Sequence, residues 1–485
     1  MLNNSMVGEL RLQHPWFKYR SSNWEIIDGF LQLEWNFVTE PDLEFSPTML
    51  LPLPADDWQE RVPAQLIDQL VFHIGLVEML SYWKATASPN IIVQAGYLND
   101  AQLTWWHNFI LKSMGEYFYL NQIDFSPPDF VTPVCTAPHR VVSEQKLPLA
   151  QNEAEQRFLV PIGGGKDSIV TMELLRQWRQ HEAKPVKPDQ LTLFAVNPTA
   201  ATTAVIAQSG FPAILVQRNL DPHLLQLNQQ NYLNGHTPFS ALLSFISLLT
   251  ATLHGFTSTV LGNEQSANEG NVQYYGQIIN HQYSKSFEYE TSFNNYVATH
   301  VQPQSKIALP SYFSLLRPFN ELQIAQIFSQ QAEAYLPIFR SCNRGQKTNS
   351  WCGQCAKCLF AYTILFPFLG EQQMVSIFGQ NLFENEDLLE TAQDLIGKTK
   401  HKPFDCVGTY EESLAAFYVS YHWYVSRELE IPSMLTILAN RYLTSRTELE
   451  KNTRLLLSQF NEENRIPQEL VQYLRQISKN VIVWT

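Results

Sequence analysis

Between residues 157 and 262 the chain alternates short apolar runs with stretches of helical period, and no other feature constrains its fold so tightly. Strands are expected at 157–162, 191–196, 213–217 and 258–262, with helices from the glycine-rich segment to about His181, over 199–209 and over 238–254. Strand–helix–strand alternation with continuous apolar strands folds into a parallel, doubly wound sheet covered by helices on both faces. The expected class is therefore α/β.

The flanks read differently. Two β-rich runs between Trp24 and Val38 surround Asp28-Gly29, a pair suited to a tight hairpin turn. After Pro63, the positions Leu66, Leu70, Ile74, Val77 and Leu80 follow helical spacing, and a second helical stretch covers 100–120. Polar, proline-containing sequence over 126–155 places a boundary near residue 150. The expected organisation is a small α+β domain (1–150), an α/β domain (151–340), a cysteine-rich segment (341–410) and a helical region (411–485).

Hydrophobic residues make up 45% of the 485, enough for several cores, while a net charge of −13 makes nucleic acid a poor partner. The N-terminus lacks the apolar core of a signal peptide, and the longest apolar run, 241–256, is too short for a bilayer. A cytoplasmic protein is expected.

An apolar strand, three glycines and an amphipathic helix, in Gly163-Gly164-Gly165-Lys166-Asp167-Ser168, is the layout for holding an anion at a helix N-terminus. Glycines let backbone N–H groups approach phosphate closely. A plain glycine turn with Asp167 or Ser168 as helix cap is the alternative. Neither the Walker A spacing nor the dinucleotide pattern is met. The string resembles the Ser-Gly-Gly-x-Asp-Ser loop of the PP-loop ATP pyrophosphatases, with Gly163 in place of the first serine. That resemblance implies a core like the adenine nucleotide alpha hydrolases. It also implies that, within an ATP-binding loop running from Gly163 to Ser168, the amides of Gly164 and Gly165 with the Ser168 hydroxyl hold the departing pyrophosphate, with Lys166 and Mg²⁺ neutralising it and Asp167 orienting the loop or touching the metal. Asn197 and Glu264, at strand ends where doubly wound sheets place ligands, are further nucleotide contacts to expect.

Four of six cysteines, Cys342, Cys352, Cys355 and Cys358, fall within one short segment, while Cys135 and Cys406 stand apart. Four thiolates at this spacing suit a closed, structural zinc site, with an iron–sulfur cluster or unmetalled thiols as alternatives.

PP-loop and four-cysteine elements also occur in the 7-cyano-7-deazaguanine synthases, which points to activation of a carboxylate by ATP. Further strings resemble one narrower family, the UDP-N-acetylmuramoyl-L-alanyl-L-glutamate epimerases (MurL). They are the segment Leu159 to Ser168, Asn280-His-Gln-Tyr-Ser-Lys285, Ser314-Leu-Leu-Arg-Pro318, Ser341-Cys-Asn-Arg344, Trp351-Cys-Gly-Gln-Cys355, Phe378-Gly-Gln-Asn-Leu382 and His401-Lys-Pro-Phe-Asp-Cys-Val-Gly408. The resemblance implies ATP-dependent inversion of the terminal L-Glu of UDP-MurNAc-L-Ala-L-Glu during peptidoglycan precursor synthesis, with release of AMP and pyrophosphate. It also implies a functional link to the muramoyl-alanine ligase that adds L-Glu. An acyl-adenylate is neutral at the carbonyl, so it eases removal of the α-proton.

Inversion needs groups that exchange protons near neutral pH, and His281, Lys285, His401 and Cys406 are the candidates. Each has a bland alternative: a polar lining residue, a phosphate contact or a buried small hydrophobe. Arg317, Arg340 and Arg344 are candidates for the substrate's diphosphate and carboxylates. Tyr82-Trp83-Lys84 and Gly115-Glu116-Tyr117 either line the sugar or peptide site or pack the first domain. A carboxylate-amidating enzyme and a nucleotide-binding module without turnover remain the other readings.

Overall fold

A computed structural model describes residues 2–138, 156–181, 190–305, 307–345, 348–399 and 401–479. The boundary expected near residue 150 lies outside the described residues. Thirteen strands are described: β1 (Trp16–Ile27), β2 (Phe30–Thr39), β3 (Leu43–Phe45), β4 (Thr48–Pro52), β5 (Asn90–Val93), β6 (Thr132–Cys135), β7 (Phe158–Pro161), β8 (Leu191–Val196), β9 (Ala213–Asn219), β10 (Ser258–Leu261), β11 (Val272–Tyr274), β12 (Gln277–Ile279) and β13 (Ser311–Ser314).

The chain divides into two compact units that do not follow successive segments of sequence. The first is Met1–Leu159 with Ile214–Thr259 and Gln273–Tyr312; the second is Val160–Ala213 with Val260–Val272 and Phe313–Thr485. The cause is topological, since the chain crosses from one unit to the other within single strands.

In the first unit the strand order is β9-β4-β2-β1-β5-β6, with β3 beside β2. The expected hairpin forms, Ile27 opposing Phe30, with Asp28 (φ 48°) and Gly29 (φ 81°) both left-handed as the tightest two-residue turn requires. One sheet face buries Phe17, Tyr19, Leu31, Leu33, Trp35 and Phe37. The helix Ala64–Glu78 packs there through Gly75, where a Cβ would lie 2.0 Å from the Tyr19 hydroxyl. The helices Asp100–Ser113 and Gly115–Leu120 divide the second expected helical stretch, the first starting from an Asn99/Gln102 capping box. Because β4 pairs antiparallel with β9 and β2, the sheet is mixed rather than purely parallel.

The second unit has the order β13-β10-β7-β8. Strands β7, β8 and β10 appear where the apolar runs place them, and the helices Lys166–His181 and Ala200–Ser209 follow β7 and β8. The next strand to join beside β7 is β10, parallel to it and on the side away from β8. The connections therefore reverse direction between β7 and β10, and the loops at the carboxyl ends of these two strands flank a topological switch point. From Tyr410 to Lys479 the described chain is mainly helical, as expected: Tyr410–Val425, Ser433–Tyr442, Arg446–Ser458 and Gln468–Lys479. Among the described residues no helix is long and apolar enough to cross a membrane.

Candidate functional site

The glycine loop sits at the switch point. Gly164 has φ 84°, and a Cβ there would meet the Thr202 nitrogen at 2.9 Å and the Ala201 carbonyl carbon at 3.1 Å. Gly262, after β10, is as tightly placed: a Cβ would lie 2.7 Å from Thr171 Oγ1 and 2.9 Å from the Asp167 oxygen. Gly163, by contrast, is exposed with nothing within 4 Å of its added Cβ. Close packing on one side and openness on the other is what a backbone cradle for an anion requires. Ser168 Oγ donates to the Gly165 oxygen at 3.1 Å, closing the first turn of the helix Lys166–His181.

Lys166 points inward. It is 6% exposed and bonded to Asp167 and to Glu321, the latter at 2.5 Å. Burial works against its charge, but the two carboxylates outweigh burial and hold the ammonium above its ordinary range. Burial, with Asp167, Glu264 and Glu412 nearby, pushes Glu321 up to about 8 against the opposing pull of Lys166. The Glu321 N–H donates to Glu412 Oε1 at 2.9 Å, and Glu412 belongs to the Thr409 capping box of Tyr410–Val425. A cavity of ≈ 320 Å³ adjoins this cluster, lined among others by Asn268, Glu269, Thr409 and Glu412. Glu321 and Glu412 escaped the sequence reading, although each opens a helix behind a capping box, at Asn320/Gln323 and Thr409/Glu412.

Of the two expected nucleotide contacts, Asn197 follows β8 with φ 48° and Glu264 is buried after β10. Arg317 is wholly buried and donates to the Glu264 carbonyl at 2.7 Å, so it fixes this strand end. The Arg340 N–H donates to the Gly164 carbonyl at 2.9 Å, whereas Arg344 is exposed. Of these three arginines, only Arg344 has a largely open side chain.

The four clustered cysteines converge. Their sulfurs lie within 4.8 Å of one another, with Cys342–Cys355, Cys352–Cys358 and Cys355–Cys358 at 3.8, 3.6 and 3.5 Å. A tetrahedron of sulfurs with Zn–S of about 2.3 Å has edges of about 3.8 Å, so the set fits a four-thiolate ion. The knuckle is tied to the loop, since Ser341 packs on Gly165 and Arg340 bonds Gly164. It is also tied to the string at 401–408: Asn343 donates to Asp405 Oδ1 at 3.1 Å, and Lys357 donates to the Cys406 carbonyl. Lys402 Nζ in turn meets Glu269 Oε1 at 3.0 Å, and its N–H donates to the Asn271 carbonyl at 3.1 Å. His401 and Cys406 thus ride on a segment fastened at both ends, half-buried in the second unit.

His281 and Lys285 lie in the first unit. There His281 meets Glu116, from a string marked in the sequence, and His236, which the sequence reading missed because a lone histidine in a loop carries no spacing signal.

The glycine loop at a switch point and the four-cysteine knuckle bound to it mark the chain as an α/β protein with helices on its sheet and a cluster of thiols that could hold a metal ion. The chain belongs to the MurL family: residues 10–315 match the MurL N-terminal domain and residues 338–432 the MurL C-terminal domain. It is 34% identical over 392 residues to the UDP-N-acetyl-alpha-D-muramoyl-L-alanyl-L-glutamate epimerase of a Micromonospora strain, covering 78% of this chain and 81% of that protein. Proteins of the same description from Salinispora tropica (33%, 78% of this chain and 79% of the relative) and Xanthomonas oryzae pv. oryzae (33%, 73% and 75%) are similarly related. No solved structure matches significantly.

Proposed function

We propose that this chain inverts the terminal L-Glu of UDP-MurNAc-L-Ala-L-Glu to D-Glu, activating the α-carboxylate with ATP as an acyl-adenylate. The observation that carries the ATP half of this reading is the glycine loop, packed from behind by Gly164 and open at Gly163, beside the parallel β7–β10 switch point. The relatives' description supplies the substrate half.

Backbone N–H groups of Gly163, Gly164 and Gly165, with Ser168, bind the pyrophosphate as it departs, and the dipole of the helix Lys166–His181 favours its charge. Asp167 would hold a magnesium ion, which supplies charge neutralisation on the phosphates. Lys166, locked between Asp167 and Glu321, keeps the Asp167 carboxylate in position. Arg340 and Arg317 order the loop and the Glu264 strand end, while Arg344 reaches the acidic substrate. Asn197 and Glu264 contact the nucleotide. Zinc on Cys342, Cys352, Cys355 and Cys358 would be structural, because four protein ligands leave no open position. The groups that move the α-proton come from His281, Lys285, His401 and Cys406. The muramoyl-alanine ligase that adds L-Glu supplies the substrate, in the cytoplasm.

Incubation with UDP-MurNAc-L-Ala-L-Glu, ATP and Mg²⁺, followed by acid hydrolysis and chiral separation, tests the reading. D-Glu is expected only with ATP, together with AMP and pyrophosphate. Failure of zinc-loaded protein to form all three refutes it.

A further inference from the structure

Three side chains able to ligate a metal converge in the first unit from segments far apart in sequence. Glu116 stands in the helix Gly115–Leu120, His236 in the loop before the helix Phe239–His254, and His281 in the turn after β12. One ligand atom from each falls within 4.8 Å of the other two. Glu116 Oε2 lies 3.5 Å from His236 Nδ1 and 2.5 Å from His281 Nδ1. The side chains of Glu116 and His281 are each 11% exposed and that of His236 is 27% exposed, so the cluster is sheltered but reachable.

Close packing around one helix builds this meeting. A Cβ at Gly115 would lie 3.1 Å from the Ile279 side chain at the end of β12, so its absence lets the segment that carries His281 come up to the helix start. Gly235 serves the other side, where a Cβ would lie 3.1 Å from the Tyr117 ring. Asn121, at the end of the same helix, donates from Nδ2 to the Asn234 carbonyl at 3.0 Å. Both histidines are therefore delivered by backbone seated on the helix that carries Glu116, which is the preorganisation a metal site needs.

Two imidazole nitrogens and one carboxylate oxygen suit a divalent transition-metal ion. A four-coordinate ion with bonds of about 2.1 Å sets neighbouring donors about 3.4 Å apart. Glu116 and His236 already stand at that separation, and the His281 nitrogen reaches it by withdrawing about 1 Å. Lys84, whose Nζ donates to the Gly235 carbonyl at 3.0 Å, and Lys285 are close enough for their charges to act on His236. Their repulsion loosens the hold on a dication. The ion is then exchangeable and leaves on dialysis, unlike zinc on the four thiolates.

We propose that Glu116, His236 and His281 form a second metal site, complete within the first unit, for an exchangeable divalent ion with nitrogen and oxygen ligands. Three protein ligands leave a position open for water or an added anion. His281 bound through Nδ1 keeps its proton on Nε2 and has no lone pair to spare, so in metal-loaded protein the α-proton falls to the other candidates named above. The site stands independently of the activity proposed for the chain.

The test uses the full chain with zinc on its cysteines, dialysed and free of ATP, titrated with Co²⁺ while absorption and heat are followed. One Co²⁺ per chain is expected, with d–d bands but without the intense thiolate charge-transfer band that exchange into the cysteines would give. His236→Ala and Glu116→Gln should each weaken cobalt binding by about 100-fold or more, beyond what loss of an outer-shell partner costs. Their melting temperatures without cobalt should stay near that of wild type. Absence of cobalt binding, binding only with the thiolate band, or undiminished binding in either variant overturns the inference. Should His236→Ala not fold, Glu116→Gln decides in the same way.

Discussion

Gly163 and Gly164 are neighbours, yet alanine should act on them in opposite ways. At Gly164 the φ of 84° is left-handed, and a Cβ would press on the backbone of Ala201 and Thr202 at the start of the helix Ala200–Ser209. The left-handed conformation costs a residue with a Cβ roughly 1–2 kcal/mol. Overpacking against backbone that cannot yield adds about 1–3 kcal/mol. Gly164→Ala should therefore destabilise the second unit by about 2–5 kcal/mol, a fall in melting temperature on the order of 10 °C. Gly163 has neither constraint, with nothing within 4 Å, so Gly163→Ala should stay within about 0.5 kcal/mol of wild type. Its methyl group instead stands over the proposed phosphate cradle and should raise KM for ATP. Thermal denaturation of both variants, with ATP-dependent pyrophosphate release for Gly163→Ala, makes the comparison. Equal melting of the two variants, or wild-type melting of Gly164→Ala, refutes the packing argument.

Three further outcomes are expected. Elemental analysis should find one zinc per chain, lost in Cys355→Ser, and chelation should lower the melting temperature by roughly 5 °C or more. Wholly buried His73, bonded to the Gln69 carbonyl at 2.7 Å and the Tyr296 hydroxyl at 2.9 Å, is held by burial at about 4 against 6.5 unfolded. A depressed folded value means stability present above the unfolded pKa and lost as pH falls through the folded one, so about 3 kcal/mol should disappear between pH 6.5 and 4. Denaturant titrations should show that slope flattened in His73→Gln. Arg344→Ala should leave the melting temperature unchanged and raise KM for the UDP-dipeptide, whereas Arg317→Ala, which removes the support of the Glu264 carbonyl, should lower the melting temperature; the reverse pattern contradicts the placement of these side chains.

The parts of the fold that were legible in sequence are those written in local pattern. Strands β7, β8 and β10 announce themselves as apolar runs, Asp28-Gly29 as a turn, and the clustered cysteines as a knuckle. What local pattern does not carry is which distant segments meet. Neither the antiparallel pairing of β4 with β9 nor the interleaving of the two units leaves a mark in any short window. The same holds for the chemistry. Lys166 was expected to face phosphate, but its partner Glu321 lies 155 positions away and turns the ammonium inward. His281 was visible in its string, whereas the carboxylate that fixes its ring comes from Glu116, 165 positions earlier.

The central claim is that the α-carboxylate of the terminal glutamate is adenylated, and one isotope measurement addresses it directly. Substrate carrying ¹⁸O in that carboxylate alone is turned over with ATP, and the AMP is analysed by mass. Attack of the carboxylate on the α-phosphorus and later hydrolysis at the carbonyl carbon leave the bridging oxygen on AMP, so AMP bearing one ¹⁸O is expected. Inversion accompanied by unlabelled AMP, or inversion without any AMP, would contradict it.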